Sequence, residues 1–189
     1  MRYAPEHNKQ TRERILEVAA RLFRKEGIAA VGLAKIMTEA GLTIGTFYTH
    51  FKSKEALVRE ALLRSLDARH DELEQLLQNN GAEVLIRAYL STEHRDAPGT
   101  GCVVAALASE VSRHPRATRQ TFATHNARTL DAIAASLLSR NGKKAGREDA
   151  AVFMGLLSGT LQIARATPDR DESDAILEAG VRAAMRFLK

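Results

Sequence analysis

The 189-residue chain has one cysteine, no tryptophan, four prolines and twelve glycines. A single cysteine excludes an internal disulfide framework and any multi-cysteine metal site, and points to a reducing, cytoplasmic setting. So little proline and glycine argues against disordered or collagen-like structure. The longest unbroken apolar run is 102–108, far short of the roughly 20 residues a membrane helix needs, so no membrane partner is expected. Residues 1–9 are polar and contain no apolar signal core. What remains is 44% hydrophobic and 27% charged residues. That composition suits one or two small soluble domains, mostly helical, with a sizeable core.

Charge is unevenly spread. The formal net charge is +5, of which residues 1–60 carry +4 and residues 61–189 only +1. A basic end on a nearly neutral body suits a polyanion partner. A basic but merely solvated surface fits the same numbers.

The hydrophobic pattern predicts helices throughout and no strand. Ile15, Val18, Ala19, Leu22 and Phe23 form one stripe on a 3.6-residue period over 9–26, and Gly27 follows the last turn. Short helices are expected at 33–40 (Leu33, Ile36, Met37 and Ala40 inward) and at 44–50 (Phe47 and Phe51 inward). Ser53 is placed to cap a long fourth helix, with Glu55 in its first turn. Leu57, Ala61, Leu62, Leu66, Leu73 and Leu77 carry that helix to about 79. Asn79, Asn80 and Gly81 break it. Further helices are expected at 83–90, 102–112, 115–139 (opened by Pro115 at its first position), 147–166 and 172–188. The loops fall at 96–101, 141–146 and 167–169. That makes about nine helices.

Gly41, Leu42 and Thr43 join the second and third helices. A glycine that accepts positive φ, an apolar residue to tuck between helices and a threonine N-cap make a helix-turn-helix connection. Such a connection leaves the next helix's free N–H groups facing outward, as phosphate binding wants. The third helix is odd for a purely structural one. Gly45 lowers helix stability by roughly 1 kcal/mol relative to alanine, yet permits close approach. Thr46, Tyr48, Thr49 and His50 are polar or amphipathic and too dense for one solvated face, and Lys52 and Lys54 follow immediately. They suit contacts to phosphates and bases; a small amphipathic helix with its polar side in water is the alternative.

Residues 11–62 resemble the N-terminal domain of the TetR family of transcriptional repressors. The resemblance rests on ILEVAARLFRKEG at 15–27, Ile36 with the Ala40-Gly41-Leu42-Thr43 turn, and above all GTFYTHFKSKEAL at 45–57. It implies an all-α protein: a three-helix helix-turn-helix DNA-binding domain over 1–55, and a ligand-sensing and dimerisation domain over 56–189. It implies that Thr43, Tyr48 and Lys54 contact phosphates, while Gly45, Thr46, Thr49 and His50 approach base edges. Two positions depart from the family pattern. Ile44 replaces a frequent polar or basic residue and is placed to touch a thymine methyl or to lose a contact. Gly32 replaces a capping Ser or Thr, bringing no hydroxyl. Arg2, Lys9 and Arg12 either add contacts from the amino-terminal arm or stay solvated. A dimer then sets two reading helices about 34 Å apart on a near-palindromic operator and excludes polymerase. A small, largely apolar effector releases it through its differential affinity for two conformations.

The remaining two-thirds match in length and helical plan. Gly155, Ser158 and Gly159 in the eighth helix, with Gly180, Val181, Ala184 and Leu188 in the ninth, suit a tightly packed four-helix homodimer interface; packing within one chain suits them too. Leu66, Tyr89, Val103, Val104, Leu107, Phe122, Leu130, Phe153 and Leu157 are apolar candidates for lining an effector cavity. His125, Asn126 and Gln162 interrupt the same faces with polar groups. Each of these positions reads equally as plain core. Cys102 opens a helix, where its thiol is a candidate sensor or a small buried residue.

No zinc-protease or nucleophile-elbow motif is present, and the six histidines are scattered. Gly99 and Gly101 lack the preceding strand and third glycine of a dinucleotide site. Carboxylates such as Glu13 and Glu17 lie beside Arg14 and Arg21 on exposed faces. A regulator, not an enzyme, is expected, with no cofactor and no metal. An all-helical enzyme would need titratable groups converging in the body. An architectural DNA binder would need basic charge spread over a body that carries +1.

Overall fold

The computed structural model describes residues 5–137 and 144–188. The helices are α1 (Pro5–Glu26), α2 (Leu33–Glu39), α3 (Ile44–His50), α4 (Lys54–Tyr89), α5 (Thr92–Asp96), α6 (Val103–Val111), α7 (Arg116–Ser136), α8 (Arg147–Ala166) and α9 (Arg170–Ala184), ending in a 3₁₀ turn (Met185–Leu188). The fold is all-α, and among the described residues there is no strand.

Local signals explain most of these elements. In α1, Ile15, Ala19, Leu22 and Phe23 are all buried, as their spacing requires. The α2–α3 connection closes as a Schellman turn. The Gly41 N–H donates to Thr38 O (2.9 Å) and the Leu42 N–H to Met37 O (2.8 Å). Gly41 sits at φ +66°, a conformation that costs a side-chain-bearing residue roughly 1 kcal/mol or more. At the start of α4 the Ser53 hydroxyl accepts from the Ala56 N–H at 3.1 Å. The predicted break at Gly81 is a point of non-helical backbone (φ 79°, ψ 174°) that kinks α4 and divides it into two pieces.

The expectations need revision at four points. Pro115 is the N-cap of α7, not its first helical residue. The last helix begins two residues early, with the Asp169 carboxylate accepting from the Glu172 N–H at 2.8 Å, and tightens to 3₁₀ after Ala184. The short helix α5 lies in a stretch between the expected helix at 83–90 and the expected loop at 96–101, to which the sequence pattern assigns no element. It has no apolar period to announce it, and is held by the Ser91 cap and by Arg165, which donates to the carbonyls of His94 and Arg95. Ion pairs expected along α1 run between helices instead: Arg12 with Glu60, Arg64 with Glu13, Arg21 with Glu39. The end of the seventh helix beyond residue 137 and residues 141–143 of the expected turn lie outside the described residues, as does Arg2.

The core forms two clusters. The first joins Ile15, Phe23, Ile36, Phe47 and Phe51 to Leu62, Leu66, Val103 and Leu107, so α1–α3 share apolar packing with α4 and α6 across residue 55. The second gathers Leu73, Ile86, Tyr89, Ile133, Phe153, Leu157 and Leu177 in the body. Helices α4 and α7 run side by side in the same direction. Glu55 accepts from the Thr118 hydroxyl and meets His114 Nδ1 at 3.0 Å. Twelve residues on, Asp67 meets His125 Nδ1 at 2.9 Å and Arg128 at 3.0 Å.

Candidate nucleic-acid interface

Helix α3 is anchored by two phenylalanines. Phe47 is buried and stacks on Phe51, centroids 5.6 Å apart and planes 21° apart. With that side committed, the helix turns its other face outward: Ile44 is 47% and Tyr48 66% exposed. Large apolar and aromatic surface held in water by a rigid core suggests a surface shaped for a partner. Thr43, Gly45, Thr49 and Lys52 are exposed beside them, and Thr46 and His50 are half-buried.

The turn chemistry differs in one detail from expectation. Thr43 has N-cap backbone angles, but its hydroxyl does not accept a helix N–H. It pairs with the Thr46 hydroxyl at 3.1 Å, while the Thr49 hydroxyl donates to Thr46 O at 2.7 Å. The first N–H groups of α3 are therefore not consumed by a side-chain cap. Lys54 points partly inward, its ammonium donating to Ile28 O at 2.7 Å and tying α4 to the α1–α2 loop. Burial and the charge of Arg12 lower the His50 pKa below its ordinary value. A neutral imidazole, one donor and one acceptor, is thus favoured at neutral pH.

The start of α1 completes the surface. His7, Asn8 and Thr11 face Thr43, Gly45, Thr46, Thr49 and His50 across a cleft of about 590 Å³. The sequence pattern missed these three because α1 begins at Pro5, ten residues before Ile15 opens its apolar stripe. Arg12 is not a loose arm residue: its guanidinium lies 4.8 Å above the Phe51 ring and pairs with Glu60.

The body residues separate cleanly. Leu66, Val103, Leu107, Phe153 and Leu157 are buried in the two core clusters, and Phe122 packs against the first. Val104 and Leu130 are partly buried at the clusters' margins. Their periodic apolar positions are thus accounted for as core. His125 is bound to Asp67, and Gln162 donates to Ala105 O. The Asn126 side-chain oxygen is buried with no hydrogen-bond partner. Tyr89 does line a cavity, of about 370 Å³. Cys102 is the N-cap of α6 and is buried, a small core residue.

The expected interface residues also divide. On α8, Val152 is 64% and Ile163 59% exposed. Between them Gly155 and Gly159 have open space where a side chain would be. Ser158 is half-buried beside them, its hydroxyl donating to Gly155 O at 3.4 Å. Gly180 and Ala184 face inward and are corrected to intrachain packing positions. A Cβ on Gly180 would collide with Thr160 Cγ2 and stand 3.0 Å from Leu90 Cδ1, and Ala184 is fully buried. Val181 and Leu188 are half-buried against the second cluster.

Among the described residues, no three His, Cys, Asp or Glu side chains are gathered to hold a metal ion. Among them, too, no helix is long and apolar enough to cross a membrane.

Comparison with known proteins supports the nucleic-acid reading of this surface. Residues 15–61 match the profile of bacterial regulatory proteins of the tetR family. The HTH-type transcriptional regulator TtgR of Pseudomonas putida is 45% identical over 73 residues, covering 39% of this chain and 34% of that protein. The chain thus matches about a third of that relative's length. Over nearly the whole chain the fold is shared with reduced Escherichia coli NemR: TM-score 0.76, 24% identity, 95% of this chain and 97% of that one. The Bacillus subtilis transcriptional regulator FadR, solved in complex with stearoyl-CoA, shares it at TM-score 0.68 and 14% identity, covering 94% and 99%. Residues 15–61, which run from α1 into α4 and include the exposed face of α3, thus match the tetR family of bacterial regulatory proteins.

Proposed function

We propose that this chain is a homodimeric, sequence-specific DNA-binding regulator: a repressor that a small-molecule effector releases from a near-palindromic operator. Residues 1–55 are its reading head and 56–189 its sensing and dimerising body. It acts in the cytoplasm and is not an enzyme. The observation that carries this reading is the face of α3, where Ile44, Tyr48, Thr49 and Lys52 stand exposed over an aromatic anchor.

In this reading α3 lies in the major groove. Tyr48, Lys52 and the N–H groups after Thr43 hold phosphates. Ile44, Gly45, Thr46, Thr49 and His50 approach base edges. Lys54 adds positive charge near the backbone while bracing the α1–α2 loop. The α8 stripe of Val152, Gly155, Gly159 and Ile163 supports dimerisation, since small residues flanked by exposed apolar ones let two helices approach closely. That the similarly folded regulator FadR was solved in complex with stearoyl-CoA supports a ligand-binding body.

The test is selection of DNA from a random pool by the purified protein, with sedimentation of the protein alone. The expected outcome is one palindromic site, bound at least about a thousandfold more tightly than random duplex, by a dimer at micromolar concentration. Equal and steeply salt-dependent binding to every duplex would reduce the interaction to phosphate attraction. A monomer would remove the paired-head mechanism.

A further inference from the structure

The 370 Å³ cavity against Tyr89 is not among the positions expected to bind an effector, Tyr89 apart. It lies between the two pieces of α4 and the segment after them. Leu76, Leu85 and the Tyr89 ring make an apolar floor, and Arg69, His94 and Gly101 contribute its polar edge. The Tyr89 hydroxyl is buried without a hydrogen-bond partner. The Arg69 guanidinium sits 5.8 Å from the Tyr89 ring centroid and, among the described residues, has one carboxylate contact, to the exposed Glu72 at 3.2 Å.

Two cations, Arg69 and Arg165, act on His94 at the cavity edge. His94 Nε2 accepts from the Cys102 N–H at 3.0 Å, so Nδ1 carries the proton it gives to Tyr89 O at 2.6 Å. Burial, with repulsion from Arg69 and Arg165, holds its pKa near 4 and keeps the ring neutral. Among the described residues, Glu93 is the one carboxylate lining the cavity, and its own backbone N–H and the Ser91 hydroxyl already hold its charge at the start of α5. Arg69 is left as the cation able to meet a ligand, above a floor of aromatic and aliphatic carbon.

The same segment touches the reading head. Arg24, near the end of α1, donates from Nε to Gly99 O at 2.8 Å and from Nη1 to the Ser65 hydroxyl at 2.7 Å. The stem of Arg21 packs on Gly99, where a Cβ would stand 3.2 Å from its Cγ. One residue past the cavity wall, Cys102 opens α6, and Glu110 on that helix accepts from the Ala29 N–H at 3.0 Å.

We propose that this cavity is the effector site, that it takes a small amphipathic anion (an aromatic or apolar body with one carboxylate, the carboxylate on Arg69), and that its occupancy reaches α1 through the Gly99–Arg24 contact. The proposal rests on the reading of the chain as an effector-released regulator and names the effector's chemistry. A ligand that pulls Arg69 and the 97–101 segment together moves Gly99 O against Arg24. Head orientation then depends on which position the segment holds, and the ligand shifts the balance by its differential affinity for the two.

Calorimetry of the full chain with 2-naphthoate and with its neutral methyl ester tests the site without DNA. The acid is expected to bind at least about tenfold more tightly than the ester, because a charge-assisted pair is lost in the ester. Arg69→Met, which keeps the side-chain stem, is expected to erase that difference and leave the melting temperature unchanged. Equal binding of acid and ester, no binding at all, or an Arg69→Met protein that still prefers the acid would each overturn the assignment.

Coupling is read separately, by amide hydrogen exchange over residues 20–31 with and without naphthoate. Protection is expected to change in the wild type and to stay constant in Arg24→Met, which should still bind the acid. An unchanged pattern in the wild type would refute the route through Gly99. If the acid binds as described while no DNA site emerges from selection, the regulator reading fails and the anion site stands.

Discussion

Phe47 and Tyr48 are neighbours in sequence whose rings meet edge to face, centroids 5.1 Å apart at 82°, with the first buried and the second 66% exposed. The buried ring holds the exposed one in place, so in the proposed complex the Tyr48 hydroxyl would meet DNA at little entropic cost. Tyr48→Phe is expected to leave the unfolding midpoint unchanged. It should weaken the DNA complex by about 1 kcal/mol, the size of one hydrogen bond, and equally for every sequence. Anisotropy titrations of a selected site and a shuffled duplex measure this; unchanged affinity for both would take Tyr48 out of the contact set.

His94 makes stability depend on pH. Its folded-state pKa is about 4 against 6.5 for an ordinary histidine. The unfolded chain therefore takes up the proton first as pH falls, and stability drops from about pH 6.5 down to about pH 4. Because the ring is partly exposed, the loss between pH 7 and pH 5 is expected to be about 1–2 kcal/mol. Urea unfolding at the two values should show a clearly larger drop in the wild type than in His94→Gln. Equal drops would mean that other groups set the dependence.

The glycines of α8 and α9 should respond oppositely. Gly180→Ala forces a methyl group onto Thr160 and Leu90 and is expected to destabilise the protomer by about 1–3 kcal/mol. Gly155→Ala and Gly159→Ala meet open space and gain helix propensity, so each protomer should be no less stable. If α8 is the homodimer interface, sedimentation equilibrium will show the two α8 variants dissociating more readily. A dimer constant indifferent to both would move the interface elsewhere.

Tyr89→Phe removes a buried hydroxyl that has no partner. Burial pushes that phenol well above its ordinary pKa, and the nearby Cys102 raises it further. Deleting an unsatisfied polar atom is expected to be neutral or to stabilise by up to about 1 kcal/mol. A loss of more than that in denaturant unfolding would reveal a bond the folded chain makes through that oxygen.

The α1–α3 segment was legible because its constraints are local. Gly41 must take positive φ, Ser53 must cap, and Phe47 and Phe51 fall one turn apart, so residues close in sequence settle α1–α3 among themselves. The body was less so. Leu66, Phe153 and Leu157 carry the apolar period that any packed helix carries, and periodicity does not separate a core position from a cavity wall. Helix α5 has no period at all; its cap at Ser91 and the distant Arg165 hold it.

By itself, then, the sequence determined an all-helical chain with a helix-turn-helix at its start and an outward polar face on the third helix, because turn chemistry and the 3.6-residue period act over a few residues. The tertiary structure alone decided that Gly180 faces inward while Gly155 stays open, that Arg12 is spent on Phe51 and Glu60, and that Arg69, Tyr89 and His94 surround one cavity whose wall rests on Arg24. Those outcomes depend on which helices meet, and contacts between residues tens of positions apart leave no periodic mark on the chain.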